Sequence, residues 1–167
     1  MTKQDLPNTD PSAEEALGPG LGFAADPVPD QPGWFMWGNR GHNPFIARTL
    51  VPLTVRRDPD GKARLRMQPE LRHTNNAGNV HGGAIMTLID AALFATAKIQ
   101  GLSTLRSAVT LDLSVQFIGG VRPGPPLDAV GEVLKETGRL VFVRGVVEQD
   151  GATVAAFSGV LRKPSER

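Results

Sequence analysis

The chain has 167 residues, 40% of them apolar, a net charge of +1 and no cysteine. That length suits one domain with a real core, and the lack of cysteine excludes disulfides, thiolate nucleophiles and cysteine-based metal sites. The N-terminus lacks a basic start followed by an apolar stretch, and no uninterrupted run of about 18 apolar residues occurs, so a cytoplasmic enzyme is expected, not a secreted or membrane protein.

Residues 1–32 are rich in Pro, Asp, Gly and Ala and show no sustained periodicity. They carry one lysine against six acids, a net −5 that leaves +6 on the other 135 residues. They read as a flexible acidic tail, partly draped over the domain as one option, ahead of a domain spanning 33–167. The basic balance of that domain suits an anionic small molecule, or is simply a solvated basic surface, and is too scattered to argue for nucleic acid. Gly33-Trp34-Phe35-Met36-Trp37-Gly38 holds both tryptophans. It reads as an anchor tying the tail to the core, with an aromatic wall for a ligand or partner subunit as the alternative.

Val51–Arg57 and Lys62–Gln68 flank Asp58-Pro59-Asp60-Gly61, a turn signal that predicts a hairpin. Gly83–Gln100 reads as the one long helix, with Gly101 as its stop. Ile85, Leu88, Ile89, Leu93 and their neighbours leave almost no polar face, so the helix must be buried on most sides. Ala108–Ile118 alternates, with Val109, Leu111, Leu113, Val115 and Phe117 on one face and Thr110, Asp112, Ser114 and Gln116 on the other. Leu127–Glu136, Leu140–Gln149 and Thr153–Arg162 follow as further extended runs. One buried helix followed by consecutive antiparallel strands predicts an α+β fold in which a curved sheet wraps a central helix.

The chemistry concentrates in His73–Asp90. Gly82 and Gly83 stand at the mouth of the buried helix, where unpaired amide N–H groups and the helix dipole suit a developing oxyanion. The alternative is that they only permit a tight entry into the helix. Asp90 is the one charged side chain between His81 and Lys98. An unpaired buried carboxylate is costly, so Asp90 is a candidate base or nucleophile; the alternative is that it faces a polar cleft or caps a neighbouring backbone amide. Asn75 is placed to orient a carbonyl or a water, or to make a turn. His81 is a candidate base or ligand, and His42, His73 and His81 alone do not make a zinc site. Nine residues of helix set positions 81 and 90 on roughly opposite sides, about 13 Å apart along the axis. If both act in one site, that site combines two subunits, and a homodimer follows.

The pattern resembles the PaaI-like branch of the hotdog-fold acyl-CoA thioesterases. The matching residues are His73-Thr74-Asn75, Gly78, Val80-His81-Gly82-Gly83, Leu88-Ile89-Asp90, Val109–Leu113, Arg122-Pro123, Gly138-Arg139-Leu140 and Gly151–Ala155. The resemblance implies a hotdog fold paired into dimers, often tetramers, that hydrolyses an acyl-CoA without metal or redox cofactor. It implies that the Gly82 N–H holds the thioester oxygen, with Gly83 beside it. Asn75 and His81 would orient thioester and water, and Asp90 of a partner subunit would attack, helped by Thr110. Arg122, Gly138 and Arg139 fall where relatives contact coenzyme A. Gly119-Gly120, Pro125-Pro126, the tryptophan-bearing extension and the absence of tyrosine depart from that pattern. Two rival readings are a hotdog hydratase and a non-catalytic acyl-CoA sensor. The Asp-x-x-x-x-His spacing of such hydratases is absent, because Ala95 stands at that offset from Asp90.

Overall fold

The computed structural model describes residues 25–37, 44–50, 52–102 and 108–164. In chain order these form β1 (Phe35–Trp37), α1 (Pro44–Thr49), β2 (Leu53–Arg57), β3 (Ala63–Met67), a 3-10 turn at Leu71–His73, α2 (Gly82–Ile99), β4 (Val109–Phe117), β5 (Leu127–Glu136), β6 (Leu140–Gln149) and β7 (Ala152–Arg162). The strands make one antiparallel sheet in the order β1-β2-β3-β5-β6-β7-β4, with α2 packed against it. This is the hotdog architecture.

The core explains why α2 is apolar nearly all round. Ile85, Leu88, Ile89, Leu93 and Ile99 of α2 join Leu53, Val55, Leu65, Met67, Leu127, Val143, Phe157 and Leu161 of the strands in one buried cluster. By length and mean hydropathy (18 residues, 1.4) α2 also qualifies as a membrane span. Ten of its 18 residues are instead buried inside the fold. Glycines let the layers close up. A Cβ on Gly131 would come within 2.5 Å of the Thr96 hydroxyl oxygen, and one on Gly159 within 2.6 Å of the Leu93 side chain. A Cβ on Gly145 would overlap the Val130 carbonyl oxygen and the Phe157 ring. Gly145→Ala is therefore expected to cost about 3 kcal/mol through overpacking. The readout is a lower urea midpoint at unchanged m-value.

Three features of the sheet bear on the site. First, β4 does not pair with its chain neighbour β5. It pairs with β7 and forms one edge of the sheet. Second, the alternation along β4 is broken by a register shift between Thr110 and Asp112, which leaves Leu111 as the bulged residue. A bulge moves every later side chain to the other face. Thr110 therefore pairs opposite buried Leu161 and reaches α2, while Val109 and Leu111 are 44% and 53% exposed. Third, residues 25–32 pack on β1. Ala25 is buried, Pro27 bridges to Phe35, and the Met36 N–H donates to the Asp26 carbonyl at 2.7 Å. Residues 1–24 of the expected tail, together with Gly38, His42 and Val51, lie outside the described residues.

The tryptophan segment is held on both sides of the sheet edge. Phe35 enters the core cluster, and Trp37 packs against it. Buried Trp34 lies under two guanidinium groups, Arg56 at 4.8 Å and Arg66 at 4.2 Å. Those arginines belong to an ion-pair network with Asp58, Arg64, Asp128 and Glu148. Burial pulls the Arg64 pKa down, but hydrogen bonds to Asp58 and Glu148 outweigh it and hold the group above its ordinary value. The cations of this patch are thus paired within the fold.

Candidate active site

The segment between the 3-10 turn and α2 is a tight loop closed by its own polar groups. The Asn75 Oδ1 accepts from the Ala77 N–H at 2.9 Å and from the Asn79 N–H at 3.3 Å. The Asn75 N–H donates to the Asn79 carbonyl, and the Gly78 N–H to the Asn75 carbonyl. Gly78 has φ +78°, which glycine adopts without steric cost. The Asn75 amide oxygen is therefore a loop-builder, and its exposed NH2 is the part left to meet a ligand.

At the mouth of α2, His81 is the N-cap residue, and its Nδ1 accepts the Gly83 N–H at 2.8 Å. A cap acceptor satisfies one of the four amides that a helix start leaves open. Because Nδ1 accepts, the ring is neutral in this state and its proton sits on Nε2, which gives the exposed ring an outward donor. Gly83, expected to meet substrate, thus has its amide occupied. A Cβ there would stand 3.0 Å from Nδ1. The Ala84 and Ile85 amides both reach the His81 carbonyl. Among the described residues no acceptor takes the Gly82 N–H. It is the open donor at the positive end of an 18-residue helix. The Phe117 ring covers Gly82: a Cβ there would lie 3.3 Å from its Cζ. This side chain, 52% exposed at the end of β4, had no signal in the sequence beyond its place in the alternation.

Asp90 sits two and a half turns along α2 and is only partly buried. Its Oδ1 accepts the Thr110 hydroxyl at 2.7 Å. The bulge at Leu111 makes this contact, so the Asp90–Thr110 pair belongs to one chain. The second carboxylate oxygen has no partner among the described residues.

The arginines divide between the two ends of β4. The Arg122 loop lies against the Asn75–Val80 loop, since the Val80 N–H donates to the Val121 carbonyl at 2.7 Å. Buried Gln149 holds it, accepting from the Arg122 N–H and donating to the Arg122 and Pro125 carbonyls. The Arg122 guanidinium pairs with Asp150 at 2.8 Å, both exposed. Gly138 and Arg139 form the β5–β6 turn, where the Lys163 N–H donates to the Arg139 carbonyl. That turn lies beside Arg162 and hence near Val109, at the Asp90 end.

The predicted residues therefore fall into two groups within the chain. Asn75, His81, Gly82 and Arg122 gather at the Phe117 end of β4, and Asp90, Thr110 and the Gly138-Arg139 turn gather at the other. Seven residues of strand separate the ends by roughly 20 Å. Among the described residues no cluster of three His, Asp or Glu side chains is placed to hold a metal.

A family model described as thioesterase superfamily matches residues 77–156. A Pseudomonas aeruginosa protein that carries an esterase name is 29% identical over 115 residues, 69% of this chain and 85% of that one. Human acyl-coenzyme A thioesterase 13 is 31% identical over 97 residues, 57% of this chain and 66% of the relative. Among solved structures, a point mutant of the phenylacetic acid degradation protein PaaI of Thermus thermophilus aligns with a TM-score of 0.61 at 24% identity, over 73% of this chain and 100% of that one. At that identity the structural likeness speaks for the fold.

Proposed function

The chain carries a thioesterase-superfamily domain, and on that premise we propose that it is a cytoplasmic acyl-CoA thioesterase whose active site forms between two subunits. The observation that carries this reading is the exposed edge strand β4, which has a half-site at each end. Gly82, with its open N–H, lies beside the Phe117 ring at one end, and Asp90 is bound to Thr110 at the other. An unpaired strand edge is a template for another strand. If β4 pairs antiparallel with its own copy about a two-fold axis near Leu113–Ser114, position 110 of one chain comes opposite position 117 of the other. That pairing joins Asp90 and Thr110 of one subunit to Gly82 and His81 of the next, twice per dimer.

The chemistry then needs no metal or redox group. The thioester carbonyl accepts the Gly82 N–H. The free Asp90 oxygen takes a proton from water, and the resulting hydroxide adds to the carbonyl carbon. The oxyanion is held at the helix start. Its collapse breaks the C–S bond, and the CoA thiolate leaves with the proton that Asp90 held. Thr110 keeps the carboxylate oriented, and the His81 Nε2–H and Asn75 NH2 orient the thioester and water. Arg122 and the Gly138-Arg139 turn supply the cationic rim for the nucleotide of coenzyme A.

The test is release of CoA, read with a thiol-trapping reagent, from acetyl-, octanoyl- and benzoyl-CoA. Turnover of at least one is expected. Saturable binding with no release from any of them would replace the hydrolase reading with that of an acyl-CoA sensor.

A further inference from the structure

His73 is buried at 6% exposure, and both of its ring nitrogens are committed. Nδ1 faces the Glu70 N–H at 2.8 Å, and Nε2 faces the Thr49 carbonyl at 2.7 Å. An amide N–H only donates and a carbonyl only accepts. The ring is therefore the neutral tautomer with its proton on Nε2. The backbone of the same residue is committed as well. Its N–H donates to the Glu70 carbonyl at 3.0 Å, and its carbonyl accepts the His81 N–H at 2.7 Å. One residue thus joins three parts: the carbonyl at the end of α1, the 3-10 turn, and the amide of the residue that caps α2.

The two ring contacts differ in what they control. The Glu70 contact closes the 3-10 turn from within, with N–H to Nδ1 in one direction and N–H to carbonyl in the other. That fixes where the His73 carbonyl points. The His73 carbonyl, in turn, fixes the His81 amide, and the His81 ring one residue before Gly82 sets the direction of the helix start. The Thr49 contact ties down one of the orphan carbonyls of α1 and has no such path to His81.

We propose that His73 is a positioning residue for the thioester site. Its Nδ1, acting through the 3-10 turn and the His81 amide, holds the Gly82 N–H and the His81 ring in line with the substrate carbonyl. This rests on the hydrolase reading above. Misplacement of a positioned group by about 1 Å can cost about a hundredfold in rate.

Two conservative variants separate the two ring bonds in the full chain. In His73→Asn the Oδ1 stands where Nδ1 was, so the Glu70 N–H keeps its acceptor while the Thr49 carbonyl is left without its donor. In His73→Gln the terminal NH2 stands near Nε2, so the Thr49 carbonyl keeps its donor while the Glu70 N–H is left without its acceptor. With the acyl-CoA of the three that turns over fastest, His73→Gln is expected to lower kcat by about ten- to a hundredfold at a KM within about threefold, while His73→Asn recovers most of kcat. The Gly82 and Gly83 amide signals in 1H–15N spectra are expected to move in His73→Gln and stay in place in His73→Asn. Wild-type kcat in folded His73→Gln, or equal falls in kcat in both variants, would overturn the proposal. If the wild type hydrolyses none of the three thioesters, the hydrolase reading fails on its own. The amide signals then decide the coupling: unmoved Gly82 and Gly83 in His73→Gln would reject it.

Discussion

Asp90→Asn is expected to lower acyl-CoA turnover by about 10²–10⁴-fold, the range a positioned general base supplies. The substitution is nearly isosteric. The amide oxygen it introduces can still accept the Thr110 hydroxyl, which lies 2.7 Å from Asp90 Oδ1 in the wild type, so the α2–β4 contact and the fold survive. What goes is the oxygen to which the proposed mechanism gives the proton from water. KM is expected to change little, because in the proposed mechanism the carboxylate acts on the attacking water and not on the bound thioester. Thr110→Val is the companion. It leaves the carboxylate in place but deletes its donor, and a hydrogen bond to a charged group is worth about a ten- to hundredfold rate effect. CoA release gives both numbers, and light scattering shows whether oligomeric state is retained. Turnover at the wild-type rate in Asp90→Asn would remove the carboxylate from the mechanism.

Much of this architecture was legible in the sequence because local period and punctuation carried it. The runs at Leu127–Glu136 and Leu140–Gln149 are strands with those bounds, and the helix starts one residue before the expected Gly83. Asp90 stood out because a charge in an apolar helix has to be explained by a partner, and Thr110 is that partner. The neighbours of β4 could not be read. Pairing with β7 in place of β5 is a long-range choice that leaves no mark on the period of either strand. Nor could the bulge at Leu111, since one extra residue shifts the faces without changing composition. The short β1 and α1 span less than one full pattern and gave nothing to count. His81 read as a base or a ligand, because caps are usually Ser, Thr, Asp or Asn. The structure shows that its inner nitrogen builds the helix start and leaves only the outer one for chemistry.

Gly82→Pro is expected to lower turnover by about 10²–10³-fold, the usual effect of deleting one oxyanion donor. Proline is suited to this first helical position, where the missing N–H breaks no helical bond. The preceding His81, at φ −63° and ψ 136°, already has the conformation that a residue before proline prefers. Gly82→Ala is the steric control. It adds a Cβ that meets the same Phe117 ring at 3.3 Å but keeps the donor. The gap between the two variants isolates the N–H, and equal rates would reject the oxyanion role. The same variant also tests where the site is built. Co-refolding equal amounts of Gly82→Pro and Asp90→Asn should yield heterodimers as half of the population. Each heterodimer pairs the intact Gly82 of one chain with the intact Asp90 of the other in one site, and both lesions fall in the second. The mixture is then expected to regain about a quarter of wild-type activity from two nearly inactive proteins, as two-fold symmetry requires. A site contained within one chain would regain none. The proposed pairing of β4 with its own copy makes recovery the expected result, because Phe117 and Thr110 stand at opposite ends of that strand within one chain.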